Sequence, residues 1–339
     1  MRNLSMDALC EKIGNAVSKQ AISKYEKGES LPGSQILILL SQALDVKPDY
    51  FFRESQFAIS NIEFRKKAKM GVKEVEAIKE EIRDIIERYL EIEDVWGCVP
   101  SFANPVNEML VVSDDDVCEV VKRLKEAWNI GEDGILSVTD LLESKNIKVV
   151  EIKADSSFDG LSGYVNNDEN MPFVVVNKSF DVERLRFTGL HELGHLVMNL
   201  PEEMEKKDKE RLCNLFASEM LISRDIFVDV LGERRSDISL QELKVLQAVY
   251  GISVDALMFK AKTVGVISES KYTSFCIRKN KSLAFKDAVE RSSYRGVEES
   301  SRFDRLVYRA LASDMISCSK AAVLLNEPME EVKNKLELV

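Results

Sequence analysis

The segment RLRFTGLHELGHLVMNL, residues 184–200, carries the pattern on which the interpretation of the whole chain depends. Its apolar residues recur three and four positions apart, which predicts one amphipathic helix with a buried face. His191 and His195 are the only histidines of the chain, and they lie one helical turn apart on the same side of that helix. This His-Glu-x-x-His spacing predicts a zinc site, with Glu192 as the general base.

The two histidines need a third protein ligand, because a catalytic zinc commonly has three and keeps a fourth position for water. After His195 the chain continues LVMNLP, which excludes the metzincin extension. The following helical pattern, residues 206–223, offers acidic candidates. We prefer Glu210 as the ligand, with Asn214 one turn later holding His191 or a neighbour by a hydrogen bond. The other candidates are Glu205, Asp208, Glu219 and, with an apolar flank that favours a packed thiol, Cys213.

Four stretches together resemble the ImmA/IrrE family of bacterial metallopeptidases. They are RLRFTGLHELGHLV (184–197), ERLCNLFASEMLI (210–222), LSGYV (161–165) and PFVVVNKS (172–179). The resemblance implies a zincin domain that acts on a repressor or antitoxin, with Glu192 as base. The Zn²⁺ ligands that it implies are His191, His195 and Glu210. Cys213 stands where the family usually has Ala, and Ser223 stands where Pro is frequent.

A second motif lies at the N-terminus, where residues 4–14 and 18–30 predict two helices joined by a short turn. Together with ALDVKPDYFF (43–52), they resemble the Xre-type, lambda-repressor-like DNA-binding domains. The resemblance implies that the second helix enters the major groove of double-stranded DNA. Gln20 is the expected base reader. The other residues expected to contact DNA are Ser18, Lys19, Ser23 and Lys24.

Two features favour a scaffold or protein-binding role for this helix pair instead. Residues 1–54 carry seven basic and seven acidic side chains, so this part of the chain is not basic. Domains of this class usually have a full helix before the segment LSMDAL, whereas only MRN precedes it here. We therefore expect either a truncated start or another segment that covers the core.

The rest of the chain predicts a linker, a long helix and a small mixed domain. Residues 72–96 have apolar positions at heptad spacing, and this seam can either pack against its own domain or form a homodimer. The seam residues are Val75, Ile78, Ile82, Ile85, Tyr89 and Ile92. A strand at 147–152 and a hairpin formed by 161–165 and 173–177 are expected before the HELGH helix. Near the C-terminus, residues 317–336 mimic a second helix-turn-helix, but their acidic content favours a structural role.

We therefore expect a mainly α protein with a small α+β zincin core of the gluzincin type. An N-terminal all-α helix-turn-helix domain and a helical C-terminal region flank that core. The expected parts are the DNA-binding domain at 1–54, the linker and heptad-patterned helix at 55–105, the zinc metallopeptidase domain at 106–235 and the helical C-terminal region at 236–339.

Composition narrows the class of protein. The net charge of −11 argues against general polyanion binding, although a local patch can still contact DNA. The six cysteines have no paired spacing, which indicates reduced thiols rather than a disulfide framework. No apolar run is as long as a membrane span, and no signal peptide is evident. These features predict a soluble, cytoplasmic protein without a membrane partner.

Two functions from different classes fit the sequence. The first is a DNA-binding transcriptional regulator with a zinc endopeptidase that cleaves a repressor or antitoxin-like protein. The second is a regulator or antitoxin-type protein whose zinc is structural or sensing. We favour the enzyme, because structural zinc sites usually have four protein ligands, whereas the two histidines and one residue of the next helix make only three. We also expect a separate substrate, because an enzyme that cut its own linker, near residues 65–73, would act once.

Overall fold

The computed structural model describes residues 4–44, 46, 48–52, 59–60, 71–97, 101–166, 168 and 170–336. Most of the expected linker, including the stretch 61–70, therefore lies outside the described residues. The described chain is mainly helical with one small sheet, which confirms the expected fold class. No helix in these ranges is long and apolar enough to cross a bilayer.

The N-terminal unit contains three helices and a short 3₁₀ helix. They are α1 (Met6–Lys12), α2 (Lys19–Glu26), α3 (Ser34–Leu44) and the 3₁₀ helix Pro48–Phe52. Ser5 and Ser18 cap α1 and α2, since each side chain accepts a hydrogen bond from a backbone N–H of the first turn. Leu9, Ile22 and Leu40, one from each helix, are buried in a core cluster of their own.

The sheet has three regular strands and a two-residue fourth strand. The strands are β1 (Ile59–Ser60), β2 (Lys148–Ile152), β3 (Gly160–Val165) and β4 (Pro172–Asn177). Their order is β1-β3-β4-β2, with β2 parallel to β4 and β3 antiparallel to both β4 and β1. Strands β3 and β4 form the expected hairpin, which places β3 beside the helix that carries the two histidines.

The remaining helices surround the sheet and extend the core beyond it. They are α4 (Val72–Val95), α5 (Asp114–Trp128), α6 (Val138–Ser144), α7 (Val182–Val197), α8 (Lys206–Leu221), α9 (Arg224–Leu231), α10 (Leu240–Tyr250), α11 (Val254–Thr263), α12 (Glu269–Lys281), α13 (Leu283–Glu290), α14 (Arg302–Ala312), α15 (Cys318–Leu324) and α16 (Met329–Leu336).

Helix α4 covers one face of the sheet, and this contact decides between the two interpretations of the heptad seam. Ile78 and Ile82 are buried in one cluster with Phe173 and Val175 of β4. Ile92, at the end of the seam, is buried against the C-terminal helices instead. The seam therefore packs within its own chain, and it is not available to a second copy of the protein. It uses Ile86 as a buried position, whereas the expected Ile85 is only half-buried.

The opposite face of the sheet packs against a second, larger core. Val174 and Val176 of β4 belong to it, together with residues from α5 to α8. Because both faces are covered, every residue of β4 is buried, which explains its continuous apolar sequence. The same cluster continues through α10 and α11 to Val289 of α13. The expected domain boundary at residue 235 thus falls inside one core.

Helices α14 to α16 pack on the end of α4, where Val307 and Val332 share a cluster with Ile92. A buried ionic network joins these helices to the sheet. Glu93 of α4 contacts both Lys148 of β2 and Arg302 of α14, each with an N–O distance of 3.1 Å. Helices α14 to α16 therefore pack firmly against α4, while the structural role expected for residues 317–336 stays a prediction.

Candidate metal centre

Helix α7 begins at the cap residue Asp181, whose side chain accepts a hydrogen bond from the backbone N–H of Arg184 at 2.9 Å. Its position depends on two close approaches made by glycines. A Cβ at Gly194 would lie 3.1 Å from the Phe216 ring of α8, and a Cβ at Gly160 would lie 2.6 Å from Thr188 of α7. Small residues at these points let α8 and β3 pack closely on either side of α7.

Three side chains converge on one point between α7 and α8. The Nε2 atoms of His191 and His195 lie 3.1 Å apart. The Glu210 carboxylate, from α8, lies 3.5 Å from His191 Nε2 and 3.7 Å from His195 Nε2. Four ligands at about 2.0–2.2 Å in a tetrahedron are separated by roughly 3.3 Å. The two imidazoles and the carboxylate therefore fit the spacing of a zinc ligand set without rearrangement.

Glu192 lies beside this group and is itself buried, with 3% of its surface exposed. The hydroxyl of Ser162, on β3, donates a hydrogen bond of 2.9 Å to Glu192 Oε2. Strand alternation puts Ser162 and Tyr164 on the same side of β3, and the Tyr164 hydroxyl donates to the Leu196 carbonyl of α7. Strand β3 thus fixes the orientation of the carboxylate expected to act as base.

Cys213 forms a second candidate metal-binding cluster with the same histidines. One ligand atom from each of His191, His195 and Cys213 lies within 4.8 Å of the others. However, the Cys213 sulfur is 3.5 Å from Nδ1 of His195, whereas Nε2 is the atom of this ring that lies close to His191 Nε2 and Glu210. A metal bound by both Nε2 atoms would use the nitrogens that lie nearest to the Glu210 carboxylate, so we regard Glu210 as the better third ligand.

The remaining acidic candidates of this region lie elsewhere. Glu205 is exposed at the start of α8, and Asp208 is exposed one turn before Arg211. Glu219 is buried in an ion pair with Lys260 of α11. Burial lowers the pKa of Lys260, and the Glu219 carboxylate opposes that shift.

Asn214 does not make the hydrogen bond that the sequence suggested to His191. Its side chain is exposed on α8, one turn after Glu210. Nδ1 of His191 is buried and has no hydrogen-bond partner within the described part of the chain. The orientation of His191 is therefore set by packing, since its side chain has no exposed surface.

The expected DNA-contacting residues lie on or next to α2. Gln20 and Lys24 are exposed, and Ser23 is half-buried. The Ser18 hydroxyl is used to cap the helix, and Lys19 forms an exposed ion pair of 2.6 Å with Asp7. Of the five expected residues, Gln20 and Lys24 are thus exposed and are neither the cap of α2 nor part of the ion pair with Asp7.

Sequence reasoning missed one residue near the metal centre, Ser162, and did not foresee the contact that Cys213 makes. Ser162 lies within the LSGYV stretch, and strand alternation could have placed it on the same face as Tyr164. The local sequence does not indicate that Ser162 contacts Glu192. Cys213 was expected only as a weaker alternative for the third ligand and as a departure from the family pattern. Its contact with His195 depends on how α8 packs against α7, which the local pattern does not specify.

A buried helix with two facing imidazoles, a carboxylate from the next helix and a neighbouring Glu define a metallopeptidase-type domain. Two family models match the chain, and the second of them agrees with this class. The helix-turn-helix model covers residues 1–51, and the model of the IrrE N-terminal-like domain, a peptidase family, covers residues 142–262. The chain thus combines an Xre-type helix-turn-helix domain with an IrrE N-terminal-like domain.

One curated relative supports the N-terminal assignment. An uncharacterised HTH-type transcriptional regulator, y4aM, of Sinorhizobium fredii is 45% identical over 53 residues. That similarity covers 16% of this chain and 36% of the relative, so the chain spans about a third of the length of the relative.

Proposed function

We propose that this chain is a DNA-binding transcriptional regulator whose zinc-dependent endopeptidase domain cleaves a separate helix-turn-helix repressor or antitoxin-like protein. The observation that carries the proposal is the convergence of His191, His195 and Glu210 next to the buried Glu192. Residues 1–54 would bring the peptidase to the operator that its substrate occupies. The two matched domains support this combination of roles.

The residues around the site can perform hydrolysis of a peptide bond. Zinc, when bound, supplies Lewis acidity that polarises the scissile carbonyl and makes a water more acidic. Glu192 takes the proton of the attacking water and passes it to the leaving amine. Ser162 holds the Glu192 carboxylate in one orientation, which positions it for both proton transfers.

Strand β3 offers a place for an extended substrate. Tyr164 and Val165 of β3 pair with β1, and Gly160 to Gly163 continue along the same edge of the strand past Ser162. A peptide that adds to this edge by main-chain hydrogen bonds would pass Ser162, and therefore Glu192. This geometry suits cleavage within an extended loop or linker.

The position of β1 makes cleavage of the chain's own linker the competing outcome. Ile59 and Ser60 belong to the segment between the helix-turn-helix domain and α4, and they pair with β3 directly beside the edge just described. We favour a separate substrate, because self-cleavage would limit each molecule to one reaction. The two outcomes yield different fragments, so one experiment separates them.

The test is incubation of the zinc-loaded full chain, alone and with the protein products of adjacent genes, followed by mass spectrometry. We expect fragments of one partner and none when Glu192 is replaced by Gln. The Glu192→Gln variant should keep its zinc, because Glu192 is not a ligand. Fragments of the chain itself that end within residues 55–73 would show cleavage in cis, and cleavage by Glu192→Gln at the wild-type rate would rule out Glu192 as the base.

The alternative function is a regulator whose zinc is structural or sensing. Structural zinc sites usually have four protein ligands. In the described ranges the two Nε2 atoms and Glu210 lie close together, whereas Cys213 contacts Nδ1 of His195. These three groups would hold the metal, and a set of three protein ligands favours the enzyme. Normal regulation of target genes in cells that carry only Glu192→Gln would favour the alternative.

A further inference from the structure

We propose that Cys213 is a positioning residue for the metal centre. Its sulfur accepts a hydrogen bond from the Nδ1–H of His195 and so holds that imidazole with Nε2 directed at the metal. This inference rests on the zinc site of the proposed function. It gives a role to the residue that departs from the usual sequence of this motif.

The geometry of α8 carries the inference. Glu210 and Cys213 are three residues apart on α8, so they project from the same side of the helix. They approach different nitrogens of one ring: the Glu210 carboxylate is 3.7 Å from Nε2 of His195, and the Cys213 sulfur is 3.5 Å from Nδ1. One helix thus lies close to both nitrogens of the His195 ring.

The two histidines differ in how much they need such a contact. The side chain of His191 has no exposed surface, so its neighbours restrict the rotation of its ring. The side chain of His195 is 23% exposed and has more freedom. The histidine with the larger freedom is the one whose Nδ1 lies next to Cys213. A hydrogen bond there compensates for the packing that His195 lacks.

The chemistry of imidazole supplies the reason for a sulfur at this place. When Nε2 is a metal ligand, Nδ1 carries the proton and needs an acceptor, which fixes both the tautomer and the orientation of the ring. Sulfur is a weak acceptor of such a bond. We therefore expect a smaller contribution than that of a carboxylate, near the lower end of the roughly 10- to 100-fold loss of metal affinity that follows removal of such partners.

Direct coordination by Cys213 is the rival explanation. It would require the His195 ring to turn, because Nδ1 faces the sulfur while Nε2 faces His191. A cobalt-substituted protein distinguishes the two cases. A Co²⁺–thiolate bond gives an intense near-ultraviolet charge-transfer band, whereas nitrogen and oxygen ligands give only weak visible bands. We expect no thiolate band in the wild type and no change of that region in Cys213→Ala.

The decisive measurement uses the fact that the chain has only two histidines. In protein labelled with ¹⁵N-histidine, two-dimensional spectra of the imidazole nitrogens contain two ring systems. We expect His195 of the metal-free wild type to be in the Nδ1–H tautomer and to become a mixture of tautomers in Cys213→Ala, while the signals of His191 stay unchanged. His195→Gln assigns the two rings. This readout does not depend on zinc or on activity.

Zinc affinity, measured by competition with a chromophoric chelator, completes the test. Cys213→Ala should bind zinc about tenfold more weakly than the wild type. Cys213→Ser should recover part of the loss, because a hydroxyl can also accept the bond. Cys118→Ala, a thiol of α5 outside the metal-binding cluster, is the control and should leave the affinity unchanged.

Three results would each overturn the inference: an Nε2–H tautomer of His195 in the metal-free wild type, a cobalt–thiolate band lost in Cys213→Ala, or unchanged zinc affinity in Cys213→Ala. Failure of the proposed function looks different. If the wild-type protein bound no zinc, the proposed peptidase function would be wrong. The hydrogen bond from His195 to Cys213 would still be supported if His195 were in the Nδ1–H tautomer and lost that preference in Cys213→Ala.

Discussion

Arg186, on the helix that carries both histidines, forms a buried ion pair of 2.5 Å with Glu298, which follows α13 in the chain. The two side chains are 0% and 2% exposed. Glu298 also accepts hydrogen bonds from the backbone N–H groups of Val138 and Thr139 in the first turn of α6. The segment after α13 therefore belongs to the structural support of the metal centre and is not an independent appendage.

Replacement of Glu298 by Gln should destabilise the protein by about 3 kcal/mol, because it leaves the Arg186 charge buried without its counter-charge. Urea unfolding followed by circular dichroism measures the change. Glu299→Gln, at an exposed neighbouring position, is the matched control and should change stability by less than about 0.5 kcal/mol. Equal, small effects of both substitutions would mean that the ion pair contributes little.

The third ligand can be tested by zinc binding alone. Glu210→Gln should weaken zinc by more than the roughly 10- to 100-fold attributable to partners outside the ligand set. Asp208→Asn, an exposed carboxylate on the same helix, should have no effect. Dialysis followed by metal analysis and a chelator competition give both values. Loss of zinc in Asp208→Asn, with zinc retained in Glu210→Gln, would show that Asp208 and not Glu210 is the third ligand.

The sequence was sufficient for those parts of the site that depend on a single helix. His191, Glu192 and His195 are related by helical geometry, so their spacing alone placed them together. Glu210 required a second helix to pack at one particular rotation, and the sequence left several carboxylates as candidates.

Contacts between residues far apart in the chain could not be predicted from the local sequence pattern. Ser162 meets Glu192 only because β3 lies beside α7, which follows from the close approach at Gly160. The partner of the α4 seam was equally undetermined. A heptad pattern reports that one face of a helix is buried, but it does not say which surface buries it.

The contribution of Ser162 should appear in the rate and not in metal binding. Ser162→Ala removes a hydrogen bond to a charged carboxylate, which is worth about 1.5 kcal/mol or more, so cleavage should slow by roughly tenfold. Zinc affinity should stay within about twofold of the wild type, because Ser162 touches no expected ligand. Steady-state cleavage of the identified partner and chelator competition measure the two effects. An unchanged rate would leave Ser162 with a packing role only.

The packing of α4 makes a prediction about oligomeric state. Ile82 has no exposed surface and lies against the sheet, so Ile82→Ala should lower the free energy of unfolding by about 2–5 kcal/mol. This loss should be the same at low and high protein concentration, because the contact is within one chain. A loss that shrinks as the protein concentration rises would instead place the seam between two copies.

The last prediction concerns DNA recognition by α2, which the matched helix-turn-helix model makes testable. Gln20 is exposed at the second position of α2, where side chains of such helices reach base edges. Lys24 is also exposed, but we expect its charge to contact the DNA phosphates more than a particular base. Lys19 is a poorer probe, because its ion pair with Asp7 would have to break first. Substitutions of Gln20 and of Lys24 should therefore have different effects on the affinity for DNA.

Gln20→Ala should weaken binding to a site selected from random DNA by about 1–3 kcal/mol and should leave binding to scrambled DNA nearly unchanged. Lys24→Ala should weaken both and reduce the salt dependence by about one phosphate contact. Lys27→Ala, at the far end of α2, is the control. Fluorescence anisotropy at several salt concentrations gives all of these values. If Gln20→Ala weakened both DNAs equally, Gln20 would contribute affinity without reading a base, and the specificity of residues 1–54 would have to come from another element.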